Sequence, residues 1–526
     1  MKKFLPMFIA VCLTAAAVLG GCANRQSESP SASGSGDTGE RVKLTMFMGD
    51  AGIKVPNDVD PGDNHIINII EDLANVDLVI TKPEYMDFQT RFNLMMSSGE
   101  VLDIVHAWFP TDVRNYGRDG AFAALDDIIK NSPILSKWQK PEQLDLVRAD
   151  DGKLYGLFAN QDPSGDIGGH VVRYDLIDEF MGGVIPTTPD GYYELAMKVK
   201  EAYPESTPFS TQGNLSFLTH FFMSYEVSMG ANGASVQINK DGKAAFSFDM
   251  PGMREAVIFY NKLYADNLID PNFITNKYED FVLNRIPEHN VVSIQGGHWA
   301  IQIVLEEYIK KGNLAEQMLM YAPLPVAPGY DKIEVNKRWP KPAVGFHSIS
   351  IASSCPDLEA GVRVVEAFVD PETKFISGYG TEGLEFKYDA AGNVDIDLEI
   401  STENNWRQIY SFMWQYWYDE TIAVKNAGIL AAAPKAYADE FKKLWNDTVK
   451  YNIERAEMAG QNPLEGILLP SDINARQGDM ELDSLQIVLK AITGQITMAE
   501  YDTQVAAFLT QYAFYKQAVQ DWYDAK

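Results

Sequence analysis

Polar and aromatic side chains stand directly after two predicted strands near the start of the chain. Asp50 follows the first strand, and His106 and Trp108 close the third. A carboxylate accepts hydrogen bonds from hydroxyl groups, and a large ring gives flat apolar contact area at low entropic cost. These residue types suit noncovalent recognition. The alternatives are a helix cap for Asp50 and core packing for the two rings.

A second group of candidates lies at the turn that follows the apolar stretch NVVSIQ. There Trp299 follows His298 and two glycines, Gly296 and Gly297. Glycines allow another molecule to approach the backbone closely, and a tryptophan beside them can stack on it. The turn therefore predicts a second contact site, with a buried core tryptophan as the alternative.

A later aromatic stripe consists of Trp406, Tyr410, Trp414 and Trp417. Their spacing of four, four and three residues places all four rings on one face of a helix. Such a stripe is more often part of a hydrophobic core than of a binding surface.

Motifs for catalysis or metal binding are missing from the sequence. It contains no GxSxG turn, HExxH, paired CxxC or P-loop, and the seven histidines show no metal-ligand spacing. The segment NKDGKAAFSF fits a hairpin turn at 240–242 better than a calcium loop. With 73 acidic residues, close carboxylate pairs occur by chance, so a glycosidase pair stays an open alternative.

The elements around the first candidates alternate between strands and helices. Val42, Leu44, Met46 and Met48 alternate as in a strand, and a helix, the strand DLVIT, another helix and the strand LDIVHAW follow. This order predicts a largely parallel sheet covered by helices, with ligands beyond the carboxyl ends of its strands. After about residue 401 the pattern is mostly helical.

The first forty residues have a separate character. Lys2 and Lys3 precede an apolar stretch that is short for a membrane span and ends in Leu-Gly-Gly-Cys22. These four residues resemble a bacterial lipobox, so we expect residues 1–21 to be a lipoprotein signal peptide and Cys22 to carry the lipid. Residues 22–40 are rich in serine and glycine and predict a disordered tether.

Composition limits the partners and the construction of the mature chain. Its 505 residues exceed one compact core, which favours two lobes. The formal charge of −29, more negative still after removal of Lys2 and Lys3, argues against nucleic acid as a partner. Cys355 is the one cysteine left unmodified, so no internal disulfide is expected.

Several segments resemble the family 1 extracellular solute-binding lipoproteins of Gram-positive oligosaccharide ABC importers. They follow in order along nearly the whole mature chain: LMMSSGEVLDIVHAWF, ALDDIIKNSPIL, DDGKLYGLF, VIPTTPDGYYELAMKVKE, FYNKLYADNLIDPNF, GYGTEGLEFKY and KAITGQI. The resemblance implies an α/β, two-lobed periplasmic-binding-protein-like fold of type II, with interleaved lobes, a hinge and a helical C-terminal part. On that pattern lobe 1 comprises 41–159 plus 290–345, and lobe 2 comprises 160–289 plus 346–526.

The resemblance also implies a function and a set of contact residues. A lipid-anchored monomer at the extracellular face of the cell membrane would bind an oligosaccharide between its lobes and deliver it to ABC permease subunits, without catalysis or cofactor. No structural calcium is expected, because ESTPFS directly follows Pro204 and leaves no room for the calcium loop of many members. Besides Asp50, His106, Trp108, His298 and Trp299, the expected ligand-binding residues are Asn160, Asp162, Arg173, Gln212, Asn214, His347, Trp414 and Trp417.

Two other functions fit parts of the sequence. A secreted lyase or glycosidase would release reducing ends or unsaturated sugars over time. A binding lipoprotein for a peptide or another solute, or a sensor partner, would share the anchor and the lobes; the aromatic content of 11% fits sugar without excluding peptide.

Overall fold

The structure is a computed structural model. It describes 41–526 except 51, 160–168, 278–280, 282–285, 297–317, 341–343, 346, 389, 391–393, 398–399, 401–402, 415–446, 448–449 and 452. Residues 1–40 form a unit separate from 41–526 and lie outside the described residues. All further description concerns the second unit.

The first sheet has five strands in the order β2-β1-β3-β12-β4. Strand β1 is parallel to both β2 and β3, whereas β12 is antiparallel to β3 and β4. The residues of the central strands β3 and β12 are all buried. Both faces of the sheet are therefore covered there, as is usual for sheets with parallel strands. The bounds are β1 Val42–Phe47, β2 Val76–Thr81, β3 Ile104–Ala107, β4 Leu157–Phe158 and β12 Ser348–Ile351.

The second sheet has three antiparallel strands in the order β10-β5-β11. Three two-stranded ribbons, β6-β7, β8-β9 and β13-β14, complete the strands among the described residues. The bounds are β5 Gly169–Arg173, β6 Met229–Gly230, β7 Gly233–Ala234, β8 Val236–Ile238, β9 Ala244–Phe246, β10 Ser293–Gly296, β11 Leu319–Ala322, β13 Phe386–Tyr388 and β14 Val394–Ile396.

Several helices begin at a residue whose side chain caps them. The Asn64 side chain accepts from two backbone N–H groups at the start of α1, and Thr497 forms a capping box with Glu500 at the start of α16. The bounds are α1 His65–Ala74, α2 Phe88–Ser98, α3 Pro110–Arg118, α4 Asp126–Asn131, α5 Pro141–Leu146, α6 Tyr174–Met181, α7 Pro189–Ala202, α8 His220–Met223, α9 Met253–Ala265, α10 Ile286–Glu288, α11 Lys332–Lys337, α12 Leu358–Phe368, α13 Pro371–Tyr379, α14 Ser471–Asn474, α15 Gln477–Ile492, α16 Met498–Gln511 and α17 Ala513–Ala525.

Short 3₁₀ segments connect several of these elements: Tyr85–Asp87, Leu135–Lys137, Ser247–Asp249 and Asn405–Trp414. Among the described residues no helix is both long and apolar enough to cross a membrane.

Two hydrophobic cores correspond to the two sheets and define the two lobes. The first core holds apolar side chains of 44–158 and 344–413, and we call these segments the first lobe. The second core holds side chains of 172–273, 292, 322 and 464–519, which we call the second lobe. This two-lobed α/β architecture confirms the predicted fold class.

The pairing of two segments differs from the predicted division. Strands β10 and β11 pair with β5 in the second sheet, so they do not join 41–159 as expected. Strand β12 pairs with β3 and β4. Its side chains Ile349 and Ile351, and further apolar side chains up to Met413, belong to the first core. The reason is physical: alternation of apolar residues fixes which face of a strand is buried, but not which strand lies beside it.

Candidate functional site

Three parallel strands of the first lobe end at the same edge of the sheet. The Met48 N–H, just after β1, donates to the Thr81 carbonyl at the end of β2 over 3.1 Å. Strand β3 ends beside them at Ala107. The residues that follow these ends are Asp50, Lys82 and Trp108, so parallel topology gathers them at the edge where α/β folds bind ligands.

Asp50 and Lys82 form a close ion pair at this edge. The Lys82 Nζ lies 2.6 Å from one carboxylate oxygen of Asp50, and the other oxygen accepts the Gly52 N–H at 3.0 Å. The side chains are only 7% and 13% exposed for Asp50 and Lys82. Asp50 is therefore not a helix cap. The pair offers an acceptor and a donor side by side, which suits neighbouring hydroxyl groups.

Aromatic rings form a wall beside the ion pair. Trp108 stacks on Phe88 with ring centroids 4.3 Å apart and lies 5.3 Å from the ring of Tyr85. Gly49 allows this packing, because a Cβ there would lie 2.6 Å from Phe88 and 3.3 Å from the indole Nε1 of Trp108. Trp108 is half-buried, so its ring both packs and retains some accessible surface.

Tyr85 of the first lobe contacts the second lobe through Gln212. The two side chains are hydrogen-bonded. Burial and the Asp50 carboxylate raise the pKa of Tyr85, so its hydroxyl stays protonated at neutral pH. Among the described residues, the buried Nε1 of Trp108 and Oε1 of Gln212 have no hydrogen-bond partner. One buried donor and one buried acceptor are thus unpaired on the two sides of this contact.

The loop that carries Gln212 is held by an internal network. The Asn276 side-chain amide donates to the Asp270 carboxylate over 2.7 Å and to the Thr211 carbonyl over 3.0 Å. The Asn276 backbone carbonyl accepts a hydrogen bond from the Gly213 N–H. Backbone groups on both sides of Gln212 are therefore fixed. The network holds the backbone that carries this amide at the lobe contact.

A neighbouring strand brings a second amide close to that loop. The Gln295 N–H of β10 donates to the Phe217 carbonyl over 2.9 Å. The Phe217 N–H in turn donates to the Thr211 hydroxyl over 2.8 Å. The Gln295 Oε1 is buried and, within the described part of the chain, has no hydrogen-bond partner.

His106 and His347 lie behind the aromatic wall and contact each other. Their Nε2 and Nδ1 atoms, respectively, are 2.8 Å apart, and both residues are buried. The Gly49 N–H donates to the His106 Nδ1 over 3.1 Å. Burial, with a smaller contribution from His347, lowers the pKa of His106 well below its usual value. These contacts favour a supporting role over the expected direct contact with ligand.

Arg173 and Asn214 have structural environments of their own. Arg173 is 2% exposed and binds the Asp175 carboxylate with two hydrogen bonds of 2.8 and 2.6 Å. Asn214 adopts a left-handed backbone conformation, with φ of 64°, in the turn after Gln212. The internal pairing of Arg173 favours structural support over ligand contact.

Other expected contacts fall outside the described residues. These are Cys22, Asn160, Asp162, His298, Trp299, Trp417 and the side chain of Trp414. Their roles stay predictions.

The first half of the aromatic stripe belongs to the first core. Trp406 and Tyr410 are 8% and 0% exposed, and they lie in the 3₁₀ segment. Tyr410 donates its hydroxyl to the Pro61 carbonyl over 2.7 Å and accepts from Asn64. This agrees with the core alternative for that half of the stripe.

Sequence reasoning missed Lys82, Tyr85 and Gln295. Lys82 and Tyr85 follow the second parallel strand, so the rule that selected Asp50 and Trp108 could have found them. Nothing in the local sequence distinguishes Gln295 from a solvated strand residue. In the described part of the chain, no three His, Cys, Asp or Glu side chains form a group that could hold a metal ion.

Comparison with known proteins gives two sequence relatives and many structural ones. No family model matches the chain. It is 27% identical over 298 residues to the fructooligosaccharide ABC transporter substrate-binding protein FusA of Streptococcus pneumoniae serotype 4. This alignment spans 52% of this chain and 54% of FusA, so it covers only about half of that relative. It is 24% identical over 520 residues to the lipoprotein LipO of Bacillus subtilis strain 168, with 93% of this chain and 91% of LipO aligned.

The structural likenesses cover almost the whole chain. Alginate-binding protein AlgQ2, solved without calcium ion, has a TM-score of 0.67 at 16% identity and covers 93% of this chain and 99% of its own. FusA in complex with kestose has a TM-score of 0.64 at 17% identity, covering 92% and 99%. Both are solute-binding proteins, which confirms the fold. The chain is therefore similar in sequence to FusA and LipO, and it shares the fold of solved solute-binding proteins.

Proposed function

We propose that the mature chain is a lipid-anchored receptor that binds an oligosaccharide between its lobes and delivers it to the permease subunits of an ABC importer. The observation that carries the proposal is the lobe contact. Asp50, Lys82 and Trp108 lie at the carboxyl edge of the first sheet, and Tyr85 beside them reaches Gln212 of the second lobe.

The chemistry of this contact matches a glycan. Sugar rings have apolar C–H faces, for which Trp108 provides an aromatic surface, and a rim of hydroxyl groups that both donate and accept. The Asp50 carboxylate and the Gln212 carbonyl accept, while the Lys82 ammonium and the indole N–H donate.

Known relatives bind molecules of this class. FusA is named for fructo-oligosaccharides, and structural neighbours include an N-glycan transport protein, NgtS, solved with Man5GlcNAc. The alignment with FusA spans half of its length, and the structural neighbours share at most 18% identity, so they support an oligosaccharide without selecting one.

Binding between the lobes explains how the permease could distinguish a receptor with bound ligand from a receptor without it. A ligand that contacts both lobes favours the closed arrangement by its difference in affinity between closed and open states. Closure brings the outer surfaces of the lobes into one joint surface for the permease. The Cys22 lipid and the 22–40 tether would keep a monomeric receptor near its permease at the extracellular face.

A thermal-shift screen tests the proposal. The mature chain with Cys22→Ser, which cannot be lipidated, is melted with fructan, glucan, xylan, mannan, alginate and host-glycan oligosaccharides. A ligand at about 100 times its Kd stabilises the folded state by about 2.7 kcal/mol, so the melting temperature rises.

The same samples separate the competing functions. Chromatography of each mixture after overnight incubation should recover the sugar unchanged. Release of reducing ends or unsaturated sugars would instead identify a glycosidase or lyase. A shift with peptides and none with any glycan would contradict the proposed ligand class.

A further inference from the structure

Two buried histidines connect the loop after β1 with the segment where the chain returns to the first lobe. The Gly49 N–H donates to His106 Nδ1 over 3.1 Å, and His106 Nε2 lies 2.8 Å from His347 Nδ1. Gly49 precedes the paired Asp50, and His347 directly precedes β12. The connection thus runs from a ligand-contact loop to a lobe-crossing segment.

The first hydrogen bond fixes the direction of the second. Because an amide N–H only donates, the His106 Nδ1 must be the acceptor and carry no proton. A neutral imidazole then carries its proton on Nε2, which donates to the His347 Nδ1. Burial keeps His106 neutral. The chain of bonds therefore has one arrangement: Gly49 to His106, and His106 to His347.

The packing around His106 restrains the ring. Its side chain is fully buried, stacks on Phe412 with centroids 4.0 Å apart, and lies 5.5 Å from the ring of Phe88. The ring cannot turn without disturbing both phenyl groups. A shift of His347 would therefore be passed to the Gly49 amide.

The far end of the connection lies where two lobe-crossing segments touch. The Ala159 N–H donates to the His347 carbonyl over 2.7 Å, and the Gly345 N–H donates to the Ala159 carbonyl over 2.9 Å. Residue 159 follows β4 of the first sheet, on the way to β5 of the second. Residues 344, 345 and 347 lie between β11 of the second sheet and β12 of the first.

We propose that His106 and His347 are positioning residues that couple Gly49 and Asp50, just after β1, to residues 159, 345 and 347 at the lobe crossing, so that Asp50 takes its binding geometry together with lobe closure. The part that concerns affinity rests on the proposed function. The coupling itself is a property of the protein without ligand, so it can be tested separately.

Hydrogen–deuterium exchange of the unliganded mature chain tests the coupling. His347→Leu removes the acceptor for His106, whereas His347→Asn places an amide oxygen near the position of Nδ1. We expect His347→Leu to raise exchange about tenfold in peptides covering both 47–53 and 157–159, and His347→Asn to restore most of the protection. His65→Asn, at an exposed histidine of the same lobe, should change neither peptide.

A second variant covers the case in which His347→Leu does not fold. His106→Asn keeps an acceptor for Gly49 but is too short to reach His347, so it should loosen 157–159 while it protects 47–53. Unchanged exchange of 47–53 in His347→Leu would overturn the coupling; if that variant does not fold, unchanged exchange of 157–159 in His106→Asn would overturn it.

The affinity test uses a glycan that binds the wild type. We expect about tenfold weaker binding for His347→Leu, with recovery in His347→Asn. If exchange shows the coupling but His347→Leu binds as tightly as the wild type, the positioning role is wrong. If the wild type binds no glycan while exchange still shows the coupling, the proposed function fails and the coupling stands.

Discussion

Replacement of Trp108 by phenylalanine should separate affinity from stability. The indole Nε1 of Trp108 is buried and has no hydrogen-bond partner among the described residues. An unsatisfied buried donor costs about 1–3 kcal/mol. The smaller ring loses contact with Phe88, worth about 1–2 kcal/mol at about 0.8 kcal/mol per CH₂. The two effects oppose each other, so the free energy of unfolding should change by between a loss of about 1 kcal/mol and a gain of about 2 kcal/mol.

Binding should respond differently to the same change. In the complex the indole N–H can donate to a sugar hydroxyl, and the larger ring covers more of the sugar face. Loss of both should weaken binding by about 1–2 kcal/mol, which is roughly five- to thirtyfold in Kd. Urea unfolding gives the stability, and isothermal titration calorimetry gives the affinity.

Trp138→Phe is the matched control. The Trp138 Nε1 donates to the Phe158 carbonyl over 2.8 Å, and the ring is 7% exposed. This change leaves a buried acceptor without its donor, so it should destabilise the fold by about 1–3 kcal/mol without altering Kd. If Trp108→Phe instead destabilises the fold as much as Trp138→Phe and binds glycan normally, Trp108 is only a packing residue.

Three further predictions concern stability. Lys82→Met leaves the Asp50 carboxylate buried without its partner and should lower the free energy of unfolding in urea by about 3–5 kcal/mol. The double variant with Asp50→Asn should recover most of that stability. An unchanged urea midpoint for Lys82→Met would argue against the ion pair. Gly345→Val puts a Cβ within 2.8 Å of the Ala159 Cβ and should destabilise by about 1–3 kcal/mol, with partial recovery by Ala159→Gly. Burial lowers the pKa of His170 from 6.5 to about 4, so the unfolded chain binds the proton first and the free energy of unfolding falls as pH decreases through that window. Between pH 7 and pH 5 this group should reduce the free energy of unfolding by about 2 kcal/mol. A His170→Gln variant whose stability has the same pH dependence as the wild type would refute this prediction.

The strand ends of the first lobe could be predicted from the sequence because the signal is local. Alternating apolar residues mark β1, a short apolar stretch marks β3, and parallel order places the residues after them at one edge. Asp50 and Trp108 were found in this way. Lys82 and Tyr85 obey the same rule after β2, so they could have been predicted in the same way, although a lysine after a strand is most often simply solvated.

The membership of strands in sheets could not be predicted, because it depends on contacts far apart in the chain. Strand β12 carries the same apolar alternation as a strand of either lobe, and only its pairing with β3 shows where it lies. The same limit applies to His106 and His347. Their residue types suit a ligand site, but a contact across 241 positions fixes them behind it.

Calorimetric titration of the mature chain with oligosaccharides from the thermal-shift screen tests the central claim most directly. The account predicts saturable binding of one glycan per chain, a negative heat-capacity change from the apolar surface buried, and recovery of the sugar intact. No binding heat with any oligosaccharide, or a continuous heat that accompanies breakdown of the sugar, would contradict it.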